Sequence, residues 1–480
     1  MTQRQTQVQS PPAPVYSGVL DMIGATPMLE LRRLETGPCR LFGKLELMNP
    51  AGSIKDRIGL SMIETAEREG KIDPGADPKP TIIEATAGNT GIGLALVAGQ
   101  RGYKMLVVVP DKMSREKVQH LRAMGAEVVM ARSDVSKGHP DYYQEVAARL
   151  AQTTPNSFYI NQFGNPANIE AHYAHTGPEI WDQVMSATGS GVDALVVGVG
   201  SGGTLSGVGR ALRERNSDVK IILADPAGSI LAPLVNEGKQ VDPGAWLVEG
   251  MGEDFVPDIC DLNLVDEAVA VTDAESFLAA RELLRLEGVL AGSSTGCLLH
   301  AAITWCARQS RPMNVVTFLC DSGAKYLSKM FNDYWMIDQG FIQREQTGDL
   351  RDLIARRHAE REDHILSPRD PVKQAIASMK LYDVSQLAVL DENDRVVGII
   401  DESDVLLAIM AGDQKELEKP VSDIMTSRLE TIPPTASVKD LLPIFRADRV
   451  AIVVDGDGAF LGLITRIDLI NYLRRQFATS

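Results

Sequence analysis

The chain has 480 residues, a length typical of about three folding units, and 44% of its residues are hydrophobic, as in an ordinary globular protein. With 48 Lys and Arg against 64 Asp and Glu, its formal net charge is −16, which excludes the non-specific nucleic-acid binders because these need a surplus of basic side chains. Five scattered cysteines without a CxxC pair exclude a disulfide-rich secreted domain and a zinc knuckle.

The beginning of the chain predicts a soluble protein of a reducing compartment. Residues 1–15 are polar and rich in proline, so we expect a disordered tail. They contain no apolar segment of the kind found in signal peptides, and no apolar run reaches the length of a membrane span. We therefore expect a cytoplasmic protein with no membrane partner.

Between residues 16 and 341, short apolar runs alternate with longer segments of helical periodicity. The order strand, helix, strand is predicted at residues 105–110, 114–124 and 127–131, and again at 194–197, 206–215 and 220–225. Continuous apolar strands that are each followed by a helix are typical of parallel sheets covered on both faces. This pattern predicts an α/β enzyme core.

The composition changes after residue 341. Residues 342–364 are densely charged and have too little apolar periodicity to bury themselves, so we expect them to form a linker.

The remainder of the chain contains an internal repeat. Residues 389–409 align with residues 453–473, and the matching Gly398 and Gly462 are 64 positions apart (462 − 398). One such unit has an incomplete core, so two copies normally pack together. The repeat predicts two small α/β domains, over residues 365–420 and 421–480.

The first chemical motif is a lysine that follows a Gly-Ser turn. Residues 49–57 read NPAGSIKDR, and an amphipathic helix pattern follows. Lys55 at a helix N-terminus is suited to binding an aldehyde covalently, because the positive end of the helix dipole helps to lower the pKa of its amine. The alternative is an ordinary solvated lysine.

The next motif is a polar turn. Residues 86–91, TAGNTG, follow a strand and open a helix, so their N–H groups and threonine hydroxyls could bind a carboxylate. The alternative is a tight turn with a helix cap.

A glycine-rich loop follows a later strand. Residues 198–204, GVGSGGT, resemble a phosphate-binding loop at a helix N-terminus. They also match GxGxxG, and Asp225 ends the next strand, so a dinucleotide site is an alternative.

The last of the four motifs, residues 291–296 with the sequence AGSSTG, precedes an apolar helix. A serine in this turn could form a neutral hydrogen bond to a pyridine nitrogen, or it could simply cap the helix.

In this order on one α/β chain, the four motifs resemble the fold-type II pyridoxal 5'-phosphate (PLP) enzymes, the group of cysteine synthase and cystathionine β-synthase. The resemblance covers residues 16–341 and implies two parallel-sheet subdomains. Residues 248–257, VEGMGEDFVP, and residues 325–341, KYLSKMFNDYWMIDQGF, are similar to segments of cystathionine β-synthases. The terminal repeat is similar to the tandem CBS-domain (Bateman) module of that branch.

The resemblance also implies a role for each motif residue. Lys55 would hold the cofactor, Asn89 would contact its 3'-oxygen, and Ser294 would contact its pyridine nitrogen. The residues implied in phosphate binding are Gly200, Ser201, Gly202, Gly203 and Thr204. The residues implied in binding the amino-acid carboxylate are Thr86, Gly88, Asn89, Thr90 and Gln162.

The activity that the resemblance implies is β-replacement, in which L-serine and L-homocysteine give L-cystathionine in transsulfuration and cysteine biosynthesis, with hydrogen sulfide as a further product. Homocysteine carries an ammonium group that sulfide lacks, so on grounds of charge Glu249 and Asp254 are expected to bind it, and the alternative is a solvated acidic turn. Glu253 and Phe163 stand where cystathionine β-synthases usually have tyrosines, so a cysteine synthase that uses O-acetylserine and sulfide is an alternative. An alternative of another class is an adenosyl-ligand sensor with a weakly active core.

The terminal repeat is expected to bind an adenosyl compound, such as S-adenosylmethionine, because Thr465 and Asp468 match the ribose-binding pattern of CBS domains. The first repeat has Asp401 where threonine is expected, although Asp404 is kept. The family further implies a homodimer or homotetramer.

Two further groups are not expected. Haem is not expected because the residues before Tyr16 contain no Cys or His. A metal is not expected because His172 and His175, three positions apart, have no third ligand near them in the sequence.

Overall fold

The structure is a computed structural model and describes residues 14–86, 88–111, 113–361, 363–411 and 414–478. Residues 1–13 of the expected disordered tail lie outside the described residues. The chain forms two compact units that divide between Phe331 and Asn332.

The first unit alternates strands and helices, which confirms the α/β prediction. Its strands are β1 (Met28–Glu30), β2 (Arg40–Lys44), β3 (Thr81–Ala85), β4 (Lys104–Pro110), β5 (Glu127–Ala131), β6 (Ser157–Tyr159), β7 (Ala194–Gly198), β8 (Lys220–Pro226), β9 (Glu267–Val271) and β10 (Asn314–Phe318). Its helices are α1 (Lys55–Arg68), α2 (Asn89–Arg101), α3 (Arg115–Ala123), α4 (Tyr143–Thr153), α5 (Pro166–Ala171), α6 (Gly177–Thr188), α7 (Gly203–Arg215), α8 (Leu231–Glu237), α9 (Asp273–Glu287) and α10 (Ser293–Ala307).

These strands form two sheets. One sheet has the order β1-β2-β10-β7-β8-β9, in which β1 is antiparallel to β2 and the other pairs are parallel. The other has the order β5-β4-β3-β6 and is parallel throughout. The inner strands β3, β4, β7 and β8 are almost entirely buried, as expected for apolar strands covered on both faces.

The four chemical motifs lie at the starts of helices. Lys55 begins α1, Asn89 begins α2 directly after β3, Gly203 begins α7 directly after β7, and Ser294 is the second residue of α10. The carboxyl ends of neighbouring parallel strands lie at the same edge of a sheet, and ligands of α/β proteins bind at that edge. This topology therefore brings several helix N-termini towards one site.

The second unit contains the repeat. Its helices are α11 (Asp333–Asp338), α12 (Val372–Tyr382), α13 (Glu402–Ala411), α14 (Leu441–Arg446) and α15 (Arg466–Ala478). Its strands are β11 (Ile365–Leu366), β12 (Gln386–Leu390), β13 (Val396–Asp401), β14 (Thr431–Ile432), β15 (Ala451–Val454) and β16 (Phe460–Ile464). They form two three-stranded sheets, β11-β12-β13 and β14-β15-β16.

The two copies match residue by residue. Val389 pairs with Gly398 in the first sheet, and Val453 pairs with Gly462 in the second. The strand register shifts directly after Val389 and directly after Val453. The repeat that the sequence predicted is therefore confirmed, and the structure adds an irregularity at the same position of each antiparallel pair.

Two segments differ from the expected boundaries. The segment expected to close the catalytic core at residue 341 is divided, because α11 belongs to the second unit, where Asp338 forms an ion pair with Arg474 of α15. The charged segment 342–364 does bury apolar side chains. Leu350, Leu353 and Ile354 belong to the core of the second repeat, together with Leu441 and Phe445. Because charged residues dominate that segment, its sequence does not show an apolar pattern that would predict this burial.

In the described parts of the chain, no helix combines the length and the apolar character that crossing a bilayer requires. All five cysteines are free thiols.

Candidate active site

A cavity of about 590 Å³ in the first unit brings the sequence-predicted residues together. The predicted residues that line it are Lys55, Thr86, Asn89, Thr90, Gln162, Gly200, Ser201, Gly202, Thr204, Glu249, Asp254 and Ser294. Gly88 and Gly203 belong to the same two loops. Residues from four separate motifs thus face one space, which is large enough for a cofactor and a small substrate.

Lys55 lies at the first position of α1, and its backbone N–H donates to Ser53 Oγ at 3.2 Å. Burial lowers the pKa of the Lys55 amine, because a charged ammonium loses its hydration there. A lysine with a lowered pKa is a better nucleophile and base near neutral pH than a solvated one. The structure thus favours the chemical interpretation of Lys55 over the solvated one.

The turn after β3 is held by Gln162. Thr90 Oγ1 donates to Gln162 Oε1 at 2.7 Å, and Gln162 Nε2 donates to the carbonyl oxygen of Ala85 at 3.0 Å. Gly88 has a φ of +118°, and a Cβ there would lie 2.7 Å from Lys117 Cδ, so only glycine fits without a shift. These contacts preorganise the turn that was predicted to bind a carboxylate.

The loop after β7 brings its backbone close to neighbouring segments. A Cβ on Gly200 would lie 2.7 Å from the carbonyl oxygen of Gly250, and a Cβ on Gly203 would lie 2.0 Å from Asn168 Oδ1. Asn168, which the sequence analysis did not single out, also donates to Ser201 Oγ at 2.9 Å. These glycines allow the close packing of a loop that leads into the N-terminus of α7, the position at which anion-binding loops lie.

An ion-pair cluster that was not predicted from the sequence lies at the cavity wall. Lys117 Nζ donates to Glu249 Oε2 at 2.9 Å, and Lys329 Nζ donates to Glu249 Oε1 at 2.7 Å. Burial alone would raise the pKa of the Glu249 carboxyl, but the two ammonium groups outweigh it and hold that pKa below its usual value. Both carboxylate oxygens thus have partners within the protein, which differs from the expectation that Glu249 binds a substrate ammonium group.

A hydrogen-bonded chain continues from this cluster towards Asn89. Lys117 Nζ donates to the Tyr326 hydroxyl at 2.8 Å, and that hydroxyl donates to Asp321 Oδ2 at 2.8 Å. Asn89 Nδ2 donates to the same Asp321 oxygen at 2.7 Å. The signature at residues 325–341 was the sequence signal for this region, although it did not identify these contacts.

Phe163 and Glu253 occupy the two positions where the family usually has tyrosines. The Phe163 ring packs against Phe255, with ring centroids 5.7 Å apart, and Glu253 lines the cavity beside Asp254. Tyr142 and Tyr143 also line this cavity, and the sequence analysis did not single them out. Phenol groups are therefore present at the site, but on α4 and the residue before it.

His172 contacts threonines. Its Nδ1 lies 3.0 Å from Thr176 Oγ1, and its Nε2 lies 3.2 Å from Thr204 Oγ1. Burial lowers the pKa of His172 well below its usual value, so the ring is neutral. In the described residues, no group of three or more His, Cys, Asp or Glu side chains has an arrangement that could hold a metal ion.

The site fits PLP. The desolvated amine of Lys55 suits the cofactor's aldehyde, and the loop at Gly200–Thr204 lies at the N-terminus of α7, a position suited to a phosphate. Ser294 lines the same cavity and could donate to the pyridine nitrogen. A dinucleotide site is less suitable, because Asp225 is fully buried and accepts from the N–H of Ala232.

The buried Glu84 gives a prediction for the dependence of stability on pH. Burial raises its pKa to about 8 from 4.5, so the folded protein retains a proton at neutral pH that the unfolded chain has lost. Stability from this group is complete below pH 4.5 and falls as the pH rises through about 8. The loss is a few kcal/mol, at about 1.4 kcal/mol per pKa unit. Glu84→Gln should flatten this decline, measured as urea unfolding at several pH values.

The exposed Glu35 offers a matched control, because Glu35→Gln makes the same change at the surface. Its stability curve should run parallel to that of the unmodified protein. A Glu84→Gln curve that is also parallel would show that Glu84 does not titrate in this range.

Comparisons with known proteins agree with this site. Residues 19–321 match the pyridoxal-phosphate dependent enzyme family, and residues 355–411 and 421–475 each match the CBS domain. The cystathionine beta-synthase of Apis mellifera is 34% identical, and the alignment covers 96% of this chain and 92% of that protein. The cystathionine beta-synthase of Saccharomyces cerevisiae is 32% identical, with 98% of this chain and 100% of that protein covered.

A solved structure gives a similar result. A hydrogen sulfide-producing enzyme from Fusobacterium nucleatum is 35% identical, with a TM-score of 0.60. The match covers 65% of this chain and 100% of that one. From the site and these matches together, the chain is a PLP-dependent lyase and belongs to the cystathionine β-synthase family.

Proposed function

We propose that this enzyme condenses L-serine with L-homocysteine to give L-cystathionine and water. The observation that supports this best is that relatives named cystathionine beta-synthase align over both units, with 92% and 93% of two relatives covered. In the reaction, the β-carbon to oxygen bond of serine breaks and a bond from the β-carbon to the homocysteine sulfur forms. The reaction would be the transsulfuration step towards cysteine.

Lys55 is proposed to be the catalytic residue. Bound PLP supplies an electron sink for the electron pair left on the α-carbon when its proton is removed. Lys55 holds the cofactor, removes the α-proton as an amine and later returns it as an ammonium group. The lowered pKa of this amine supports a role as a base near neutral pH.

The remaining predicted residues are proposed to bind and orient. The loop Gly200–Thr204 binds the phosphate, and Ser294 gives the pyridine nitrogen a neutral partner, which favours elimination over transamination. The turn around Thr86, Gly88, Asn89 and Thr90 binds the substrate carboxylate together with Gln162. Since the lysines engage Glu249, we propose Asp254 as the residue that meets the homocysteine ammonium group.

A product analysis tests the proposed function. The purified enzyme is offered L-serine or O-acetylserine, each with homocysteine or sulfide, and kcat/KM is compared. We expect the highest value for serine with homocysteine. A higher value for O-acetylserine with sulfide would identify a cysteine synthase, and no turnover with any pair would favour a sensor with an inactive core.

Hydrogen sulfide is proposed as a second product. The solved neighbour from F. nucleatum is itself a hydrogen sulfide-producing enzyme. If L-cysteine replaces serine as the first substrate, the leaving group is sulfide instead of water. Sulfide release from L-cysteine and homocysteine, measured in the same assay, tests this activity.

The second repeat is proposed to bind an adenosyl compound. Asp468 Oδ2 accepts from the Thr465 N–H at 2.7 Å and from the Thr465 hydroxyl at 2.6 Å. In the first repeat, Asp404 Oδ2 accepts from the Asp401 N–H at 3.0 Å, so the backbone geometry is alike while the hydroxyl is missing. A carboxylate held in this way can accept hydrogen bonds from ribose hydroxyls.

Calorimetry with S-adenosylmethionine on the full-length protein tests this binding. Asp468→Ala should weaken it by at least tenfold, since a hydrogen bond to a charged group contributes about 1.5–3 kcal/mol. The matched variant Asp404→Ala, at the equivalent position of the first repeat, should bind as the unmodified protein does. No heat with the unmodified protein would contradict adenosyl binding, and equal losses in both variants would contradict the choice of the second repeat.

A homodimer or homotetramer in the cytoplasm is also proposed. Helix α13 exposes Leu406, Leu407 and Met410, and α15 exposes Ile467 and Ile470. Such apolar surfaces are typical of association between subunits. Sedimentation of the full chain tests the assembly.

A further inference from the structure

The amide of Asn89 is held from both sides by charged groups. Its Nδ2 donates to Asp321 Oδ2 at 2.7 Å, and its Oδ1 accepts from Lys325 Nζ at 3.0 Å. Asp321 is 0% exposed and Lys325 is 6% exposed. Little water competes for these hydrogen bonds, so they are stronger than equivalent bonds at the surface.

The two charges fix which way the amide points. An ammonium group can only donate, so it requires the carbonyl oxygen of Asn89. A carboxylate accepts, so it requires the amide N–H. If the amide rotated by half a turn, N–H groups would face an ammonium and a carbonyl would face a carboxylate, and both charge-assisted bonds would be lost.

Lys325 also ties Asn89 to the turn before Lys55. Its ammonium donates to the carbonyl oxygens of Ala51 at 3.1 Å and of Gly52 at 3.2 Å. Its three protons therefore have three acceptors, and these hydrogen bonds offset the hydration that the ammonium group loses on burial. One side chain thus fixes Asn89 relative to the turn that carries the cofactor lysine.

Asp321 is fixed by a second donor. The hydroxyl of Tyr326 donates to Asp321 Oδ2 at 2.8 Å, and Lys117 Nζ donates to that hydroxyl at 2.8 Å. The carboxylate therefore cannot follow Asn89 if the amide moves. Of the two protons on Asn89 Nδ2, one is donated to Asp321. Among the residues that the structure describes, none accepts the other, so it is available to a ligand in the cavity that Asn89 lines.

We propose that Lys325 and Asp321 are positioning residues that hold Asn89 so that its second Nδ2 proton serves the cofactor's 3'-oxygen. This inference rests on the proposed function, which assigns Asn89 to that oxygen. A donor in this position stabilises the oxygen in its anionic form. Removal of Lys325 leaves Asp321 as the charge that opposes rotation of the amide. A larger share of the Asn89 side chains then presents the carbonyl oxygen, which repels that anion.

The test uses Lys325→Met, which keeps an unbranched apolar stem and removes the donors. We expect the dissociation constant for PLP to rise by about tenfold, the factor that corresponds to about 1.4 kcal/mol. We also expect a larger share of the bound cofactor to carry a protonated 3'-oxygen, as measured from its absorption bands across a pH series. Lys325→Gln, whose amide can still donate to Asn89 Oδ1, should restore part of both properties.

The matched control is Lys71→Met, the same change at an exposed lysine whose ammonium pairs with Glu69 away from the cavity. It should leave the cofactor bands and the dissociation constant within about twofold of the unmodified values. If Lys325→Met does not fold, Asp321→Asn removes the other charge and should shift the bands in the same direction.

The outcomes separate the two proposals. An unmodified protein that binds no PLP would overturn the proposed function and this inference with it. An unmodified protein that binds PLP, together with a Lys325→Met variant that matches Lys71→Met in spectrum and affinity, would overturn the positioning role alone.

Discussion

Lys55→Ala should lower turnover by about 10³-fold or more and abolish the absorbance of lysine-bound cofactor. The variant removes both the covalent attachment and the base, and general acid–base catalysis alone contributes about 10²–10⁴-fold. The side chain is also desolvated, so water does not readily replace its amine. Stopped assays with serine and homocysteine, together with an absorption spectrum of the protein incubated with PLP, measure both effects.

A control for this prediction is Lys71→Ala. Lys71 is an exposed lysine whose ammonium pairs with Glu69 at the surface, so its loss should leave turnover and spectrum unchanged. Lysine-bound absorbance that persists in Lys55→Ala would show that another amine carries the cofactor. The first alternatives to examine would then be Lys325, which is buried beside Asn89, and Lys117, which is buried beside Glu249.

The elements around Lys55 were predictable because their signals are local. Apolar runs such as β4 and β8 are continuous in the sequence, and the glycine-rich turns fall directly between a strand and a helix. The repeat was predictable for a similar reason, since Gly398 and Gly462 permit matching close contacts. A Cβ on Gly398 would lie 2.2 Å from Met425 Sδ, and a Cβ on Gly462 would lie 2.4 Å from Ile354 Cγ2.

The polar network was not predictable in this way. Lys117 meets Glu249 across 132 positions of the chain, and Lys325 meets Asn89 across 236. No spacing rule connects residues so distant, and a lysine in an amphipathic helix is usually solvated. Charge alone suggested that Glu249 would attract a substrate ammonium group, whereas the fold supplies two ammonium groups from the protein.

These contacts change the result expected for Glu249. Glu249→Met would leave Lys117, which is 1% exposed, and Lys329 without their shared carboxylate. Removal of one partner from a buried ion pair destabilises a protein by about 3–5 kcal/mol. We expect a loss of that size in chemical denaturation of the full chain. The double variant Lys117→Met/Glu249→Met should recover part of it, because it also removes the buried ammonium group of Lys117.

The pH dependence gives an independent check on the same contacts. The folded pKa of Glu249 is lowered, so its stabilising effect is present above 4.5, the usual pKa of the group, and is lost as the pH falls below that value. The difference in the free energy of unfolding between the unmodified protein and Glu249→Met should therefore persist above pH 4.5 and diminish below it. A difference that is constant across this range would show that charge is not its cause.

Kinetics then distinguish a structural carboxylate from a substrate-binding one. Since Glu249 is engaged by lysines, Glu249→Met should lower kcat/KM by the same factor for homocysteine and for sulfide, because both need the same cavity wall. Asp254→Asn should raise KM for homocysteine and spare sulfide, because sulfide has no ammonium group. A selective loss of homocysteine in Glu249→Met would mean that the substrate displaces Lys117 or Lys329 from the carboxylate. The selectivity, rather than the size of the loss, therefore decides whether the acidic side chain serves the protein or the substrate.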